Sequence, residues 1–247
     1  MSWILLRGLT REARHWGDFG QLLAARTNEE MLTLDLPGNG EFAALPSPIM
    51  VADMTDFLRA QVQTRALAGP HKVLAMSLGG MVATNWAQRY PSEVERLVLI
   101  NTSMRPFSSI TQRLRPGTWL QLALLAARWA DADYAEQAIH RLTCSNSSSR
   151  DADIVAWLRI RKSAPVSPAN VARQLAAAAT YACAVSTPRC PTLVLSSAGD
   201  QLVNPLCSTR LAAAWQTAHA QHPWAGHDLP HDDGEWVCRQ LGSWISG

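Results

Sequence analysis

Three residues of the sequence have the types that nucleophilic catalysis requires, and they follow one another in the order serine, aspartate, histidine. They are Ser77, Asp200 and His227. A serine hydroxyl becomes an effective nucleophile when an imidazole accepts its proton, and a carboxylate must hold that imidazole in the correct tautomer. The sequence therefore predicts a catalytic triad formed by these three side chains.

Ser77 is predicted to lie on a sharp turn between a buried strand and a helix. Such a turn accepts only small residues two positions before and after the serine, and Ala75 and Gly79 stand there. Apolar residues at helical spacing follow, at Leu78, Met81, Val82 and Trp86. The alternative is that Ser77 only caps the helix, which serine does well.

Asp200 and His227 are chosen because each follows a predicted strand. In an open α/β sheet, side chains that act on a ligand collect at the carboxyl ends of the strands. Asp35 and Asn101 also end strands, but Asp35 precedes a turn and Asn101 has no charge with which to orient a histidine. His227 has three rivals, in or near the last strand or before the last helix: His219, His222 and His231.

The apolar pattern predicts six strands that alternate with helices, which is typical of a parallel sheet covered on both faces. The strands are expected at 2–6, 31–35, 72–76, 96–101, 191–195 and 219–224. Core helices are expected at 14–26, 47–67, 78–90, 204–215 and 234–245. Ser47 and Pro48 are read as the cap and first residue of the second of these helices. The strand at 31–35 is expected at the edge of the sheet.

Between about residues 104 and 185 the alternation stops and only helices are predicted, at 119–129, 132–142, 152–161 and 170–182. We therefore expect a core domain made of 1–104 and 187–247, with an all-helical cap inserted at 105–186. The insert carries ten basic and five acidic residues, a net charge of +5. Trp119, Trp157, Arg159 and Arg161 are candidate substrate-binding residues of this cap.

Composition excludes several other classes of protein. The 247 residues are 47% hydrophobic and 17% charged with a net charge of +2, so a nucleic-acid partner is not expected. No apolar run reaches the roughly 20 residues that span a bilayer, and a cytoplasmic location is the default. The five cysteines are odd in number and form no C-x-x-C pair, which predicts free thiols and no zinc site.

Taken together, these motifs resemble those of the α/β-hydrolase family over nearly the whole chain. The matching stretches are 5–9, 35–40, 76–80, 199–203 and 225–227. The resemblance implies that Ser77 is the nucleophile, Asp200 the acid and His227 the base, with backbone N–H groups of Leu9 and Leu78 forming the oxyanion hole and no cofactor. The chain departs from the family at Arg7, where histidine is usual, at Ala75, where glycine is usual, and in having no hairpin before the first parallel strand.

The function expected from these residues is hydrolysis of a carboxylic ester, or of a thioester or lactone, through an acyl-enzyme. The same fold also hosts haloperoxidases, lyases and acyltransferases, and a ligand-binding member without turnover is a further alternative. The insert is interpreted as a lid whose apolar faces form an acyl pocket and whose arginines attract a substrate with a negative group, such as a carboxylate or carrier-bound phosphate. A methyl ester esterase that acts on a carrier-bound acid is the similar family example. The alternative is that the insert arginines form a solvated helix face.

Overall fold

The computed structural model describes residues 2–247, and its centre is a sheet of six parallel strands in the order β2-β1-β3-β4-β5-β6. The strands are β1 Ser2–Leu6, β2 Glu30–Leu34, β3 His71–Met76, β4 Val94–Ile100, β5 Thr192–Ser197 and β6 Ala218–His222. Every neighbouring pair is parallel. The predicted α/β fold is confirmed, and β2 lies at the edge with no strand outside it in residues 2–247.

Ten α-helices accompany the sheet in the described residues. They are α1 Phe19–Thr27, α2 Val51–Thr64, α3 Leu78–Arg89, α4 Ile110–Arg113, α5 Trp119–Ala127, α6 Ala132–Thr143, α7 Arg150–Ser163, α8 Pro168–Thr180, α9 Leu206–Trp215 and α10 Leu229–Ser246. None of them is both long and apolar enough to cross a bilayer. All five cysteines are free thiols.

The two faces of the sheet bury separate apolar layers, because successive side chains of a strand point to opposite faces. Ile4, Leu6 and Val73 lie in the layer that packs against α2, α3 and α9. Leu5 and Leu74 lie in the layer that packs against α1 and α10. The central strands are therefore apolar on both sides, and only their ends are left for polar side chains.

The helix predicted from Ser47 begins instead at Val51. The Ser47 hydroxyl donates to the Pro37 carbonyl oxygen at 2.7 Å, and its backbone N–H donates to the Asn170 side chain at 2.9 Å. Ser47 thus connects the loop at Pro37 to the first turn of α8 and does not cap a helix. The last helix begins five residues earlier than predicted, at Leu229, and contains a kink at Asp233.

Between β4 and β5 the described residues form helices α4 to α8, as the sequence pattern predicts for this region. This insert has an apolar cluster of its own, which includes Leu125, Ile139 and Trp157. The division of the chain into two domains at 105 and 186 stays a prediction.

Candidate active site

Ser77 occupies the tight turn that joins β3 to α3. Its backbone has φ 53° and ψ −120°, a conformation that a residue with a Cβ rarely adopts. A backbone held in such a region is typical of a functional turn, and here it sets the side chain at the carboxyl end of the sheet. The Ser77 carbonyl oxygen accepts from the Thr102 hydroxyl at 2.8 Å and from Met81 N–H at 3.2 Å, which fixes the turn from both sides.

Two glycines allow the first loop of the chain to approach this turn. A Cβ at Gly79 would lie 2.5 Å from the Arg7 carbonyl oxygen and 2.7 Å from that of Leu6. A Cβ at Gly8 would lie 3.0 Å from Ser77 Cβ. The glycine that sequence analysis placed after the serine is thus required by the close passage of the loop after β1.

His227 and Asp200 are in direct contact. His227 Nδ1 lies 2.7 Å from Asp200 Oδ2, and the two side chains are almost fully buried. The other carboxylate oxygen of Asp200 accepts from the backbone N–H groups of Leu202 and Val203 at 2.8 and 2.9 Å. Asp200 is therefore fixed at both oxygens, and it orients the imidazole of His227.

The pKa of His227 is raised above its ordinary value of 6.5. Burial alone disfavours the imidazolium and would lower the pKa, but the charge and hydrogen bond of Asp200, together with the charge of Asp228, raise it by more. This is the environment that a general base needs when it must accept a proton and carry a positive charge during a reaction.

The rival residues have other partners. His219 Nε2 lies 2.9 Å from the Ser196 hydroxyl, His222 accepts from Ala225 N–H at 2.9 Å, and His231 Nε2 lies 3.0 Å from Asp153. Asp35 accepts from the backbone of Ala13 and Glu41, as expected of a loop-forming aspartate. Ser77 and His227 line one cavity, and none of these rivals does.

The two backbone N–H groups implied as an oxyanion hole are in suitable places. Leu78 begins α3, where backbone N–H groups have no intrahelical acceptor and the helix dipole favours negative charge. Leu9 follows Gly8 in the loop that contacts Ser77, and it lines the same cavity. Neither N–H donates to a protein acceptor in residues 2–247.

Arg7, which stands where the family usually has histidine, is buried and forms a two-point ion pair with Asp228. Arg7 Nη1 donates to Asp228 Oδ1 at 2.9 Å and Nη2 to Oδ2 at 2.5 Å, while its guanidinium lies 4.8 Å from the Trp16 ring centre. Burial would raise the pKa of Asp228, but Arg7 outweighs it and lowers that pKa from 3.8 to about 2. The pair joins the loop after β1 to the residue that follows His227.

Asn101, which sequence reasoning set aside because it is uncharged, holds the histidine loop. Its Nδ2 donates to the His227 carbonyl oxygen at 2.8 Å and to the Ser197 hydroxyl at 2.9 Å, and its Oδ1 accepts from Ser197 N–H at 2.9 Å. Its φ of 45° is one that asparagine tolerates better than most residues. The sequence contains one signal of this role, since Asn101 follows a predicted strand, as Asp200 and His227 do.

The end of α6 is also attached to the histidine loop. The Asp232 carboxylate accepts from Ser145 N–H at 2.9 Å, from Asn146 N–H at 2.9 Å and from Gly226 N–H at 2.6 Å. Asp228 N–H donates to the Thr143 carbonyl oxygen at 2.8 Å. Three backbone N–H groups therefore connect the insert to the segment that carries His227, and the bond from Gly226 to Asp232 closes that segment on itself.

A mostly apolar cavity of about 210 Å³ adjoins Ser77 and His227. The insert supplies about half of its wall, mainly through apolar side chains: Leu114, Leu122, Leu125, Ala126, Trp129, Ile139, Leu142, Val171 and Leu175. The two arginines on its wall, Arg7 and Arg11, are paired with Asp228 and Glu136. The cavity thus suits an uncharged, apolar group.

The structure brings none of the four predicted substrate-binding residues to this cavity. Trp119 is 46% exposed on α5, and Trp157 is buried inside the insert cluster. Arg159 is exposed, and Arg161 donates to Glu136 at 3.0 Å while lying over the Trp129 ring. Charged and aromatic residues stand out in the sequence, but the rotation of each helix about its axis, which a sequence leaves open, directs other side chains to the cavity.

The sheet order, the turn at Ser77 and the Asp200–His227 contact define a hydrolase of the α/β-hydrolase type. A family model described as serine aminopeptidase, S33 (Hydrolase_4) matches residues 4–232. Since this match covers most of the chain, the protein belongs to that family.

Several relatives and solved structures are similar to the chain. A pimeloyl-[acyl-carrier protein] methyl ester esterase of Chromobacterium violaceum is 38% identical over 97 residues, which are 36% of this chain and 35% of that one. The chain thus aligns with about a third of that relative. A Klebsiella pneumoniae protein named "Putative carbamate hydrolase RutD" is 27% identical over 240 residues, 91% of this chain and 83% of that one.

Solved structures share the fold. A thermophilic esterase from Thermogutta terrifontis superposes with a TM-score of 0.78 at 24% identity, over 100% of this chain and 89% of that one. The enol-lactonase from Burkholderia xenovorans LB400 gives a TM-score of 0.79 at 18% identity, over 100% and 91%.

Proposed function

We propose that this protein is a serine hydrolase that cleaves carboxylic esters with small or medium apolar acyl groups. The observation that carries the proposal is the 2.7 Å contact between His227 Nδ1 and Asp200 Oδ2 beside a cavity that Ser77 also lines. A volume of about 210 Å³ is below the usual range of small-molecule pockets, roughly 300 to 1,000 Å³, which favours a modest acyl group.

The proposed reaction has two halves. Ser77 Oγ attacks the ester carbonyl carbon while His227 Nε2 accepts the hydroxyl proton, and the N–H groups of Leu9 and Leu78 bind the oxyanion. The C–O bond to the alcohol breaks, and the alcohol leaves with the proton from His227. Water then attacks the acyl-enzyme, giving its proton to His227, and Ser77 regains its proton as the acid departs. Asp200 stabilises the imidazolium in both halves.

A thioester or lactone suits the same groups, because each presents a carbonyl carbon with a leaving group. The C. violaceum relative is named for a carrier-linked methyl ester, which supports an ester substrate. A carbamate is the second candidate, since the match to the K. pneumoniae relative extends over far more of both chains.

The test is covalent labelling followed by turnover. A fluorophosphonate should modify Ser77, identified by peptide mass spectrometry, and p-nitrophenyl esters of short acids should be hydrolysed. Ser77→Ala should lower kcat by roughly 10³-fold or more. Ser108→Ala, a buried serine outside the cavity, is the matched control and should keep its activity.

Each contrary outcome points to a different alternative. Labelling at Ser77 without turnover of any ester would favour a ligand-binding protein. Faster turnover of a small carbamate than of the ester of equal size would favour the second candidate. Retention of more than a tenth of the rate in Ser77→Ala would exclude Ser77 as the nucleophile.

A further inference from the structure

A group of metal-binding side chains lies between the insert and the core, apart from the Asp200–His227 pair. His140 lies in the last turn of α6, Cys144 directly follows that helix, and His231 lies in the first turn of α10. One ligand atom from each of the three lies within 4.8 Å of the other two. The Cys144 backbone N–H donates to the His140 carbonyl oxygen at 2.8 Å, so local structure at the end of α6 brings these two residues together.

A carboxylate on a third helix contacts both imidazoles. Asp153 Oδ2, on α7, lies 3.3 Å from His140 Nε2 and 3.0 Å from His231 Nε2. Histidines that bind metals commonly donate one ring N–H to a carboxylate, which orients the ring and leaves the other nitrogen for the metal. Asp153 is therefore placed to orient two ligands that come from different parts of the chain.

The surroundings are partly closed and partly accessible. The Trp157 ring lies against both imidazoles, with ring centres 5.3 Å apart in each case. His140 is buried, whereas Cys144 is half-buried and lines a separate polar cavity of about 730 Å³. An ion entering through that cavity would reach the cysteine sulfur first.

We propose that His140, Cys144 and His231 bind a Zn²⁺ ion, with Asp153 holding the two imidazoles. A thiolate and two imidazoles are ligands that Zn²⁺ prefers, while Mg²⁺ and Ca²⁺ prefer oxygen. On binding, the Cys144 thiol releases one proton to solvent. The thiolate and the Asp153 carboxylate then balance the two charges of the ion.

Small movements complete the site. Ligand atoms around tetrahedral zinc lie roughly 3.3 to 3.7 Å apart, so the three atoms must approach by about 1 Å, which side-chain rotation of Cys144 and His231 can supply. The ion would join α6 to the start of α10, four residues after His227. This inference is independent of the proposed esterase function.

The first experiment measures zinc binding by the whole protein. Metal-free protein, prepared with a chelator, is mixed with Zn²⁺ or Mg²⁺, desalted and assayed for bound metal and for Tm. We expect about one Zn²⁺ per chain, no Mg²⁺, and a rise in Tm of about 5 °C or more at saturating zinc. Cys144→Ser and His231→Gln should each lose most of the rise.

Two controls separate this site from other zinc ligands. Cys190→Ser removes another half-buried thiol, and His227→Gln removes the candidate base. Both should keep the full rise in Tm. Co²⁺ gives a second measurement, because an ion bound beside Trp157 should quench the fluorescence of that tryptophan. The quenching should therefore diminish in Trp157→Phe. This test does not depend on whether the ligand variants fold.

The proposal is overturned by any of three results. The first is absence of bound zinc in the wild-type protein. The second is an equal rise in Tm in wild type, Cys144→Ser and His231→Gln. The third is loss of the rise in His227→Gln, which would place the ion at the candidate active site. In each case His140, His231 and Asp153 form only a hydrogen-bonded cluster that Cys144 adjoins.

Discussion

Arg7 and Asp228, 221 residues apart in sequence, form a buried two-point ion pair in the wall of the cavity that Ser77 and His227 also line. Arg7 directly follows β1 and precedes Gly8, which contacts Ser77, and Asp228 directly follows His227. The arginine that departs from the family pattern therefore couples the loop after β1 to the histidine loop. It has a structural role that its position in the sequence does not reveal.

The ion pair leads to a stability prediction. Arg7→Met leaves Asp228 as a buried, unpaired charge and should lower the free energy of unfolding by about 3 to 5 kcal/mol. Arg7→Met combined with Asp228→Leu should recover most of that loss, because two apolar groups replace both charges. Urea unfolding of wild type, the two single variants and the double variant measures the coupling free energy between Arg7 and Asp228. Additive losses in the double variant would show that the pair does not act as a unit.

Acid should weaken the same pair. The pKa of Asp228 is lowered in the folded protein from 3.8 to about 2, so its ionised form is stabilised by folding. That contribution is fully present above about pH 4 and is lost as pH falls through about 2. The wild-type free energy of unfolding should therefore decline across this window more steeply than that of the Arg7→Met, Asp228→Leu protein. Parallel declines in the two proteins would show that protonation of Asp228 does not cause this loss of stability.

The raised pKa of His227 leads to a prediction for the pH dependence of activity. The base must be neutral to accept the Ser77 proton, so kcat/KM should increase with pH and level off above a pKa higher than 6.5. In Asp200→Asn, burial acts without the compensating carboxylate, so the midpoint should move to lower pH. The plateau should fall by roughly 10³ to 10⁴-fold. An unchanged midpoint in Asp200→Asn would show that a group other than His227 determines the pH dependence of kcat/KM.

Asn101 is predicted to position the His227 loop. Asn101→Gly keeps a residue that tolerates φ 45° but removes the bonds to His227 and Ser197. We expect kcat to fall by up to about 10²-fold with KM little changed, because the base is displaced while the cavity wall is intact. Asn85→Ala, on the outer part of α3, is the control. Equal activity of Asn101→Gly and wild type would show that the Asn101 side chain is not needed to position His227.

The cavity wall predicts a change in substrate range. Leu175 of α8 lines the cavity although it is 45% exposed, so it lies near the opening. Leu175→Trp should reduce kcat/KM for longer acyl esters and leave the acetyl ester nearly unchanged. Leu120→Trp is the matched control, since Leu120 is 72% exposed on α5 and does not line the cavity. A uniform effect on all chain lengths would place the acyl group elsewhere.

The parts of this structure that sequence predicted well depend on local pattern and chain order. Buried strands read directly as apolar runs, and the residues after β3, β5 and β6 had to meet at one edge of the sheet. The start of α2 was predicted wrongly because Ser47 bonds to Pro37 and Asn170 across the fold. Arg7 with Asp228, and Asn101 with His227, are likewise long-range contacts that no local pattern encodes.

The insert shows a different limit. Helices α5 to α8 follow from their composition, but the side of each helix that faces Ser77 depends on how the helices pack together. The charged and aromatic residues Arg159, Arg161, Trp119 and Trp157 stand out in the sequence, whereas the insert's part of the cavity wall consists mainly of leucines such as Leu122, with Val171 and Trp129 among them. These residues resemble core positions of any helix.

The backbone bonds between the end of α6 and the histidine loop bear on how such a protein can diversify. Exchange of the residues at 143–146 would remove the contacts to Asp228 and Asp232 and would displace His227, which directly precedes Asp228. The apolar faces of α5 and α8, in contrast, have no bond to that loop in the described residues. New substrate preferences are therefore expected to arise by substitution on those two faces, while a whole foreign insert would need residues after its α6 that match Asp232.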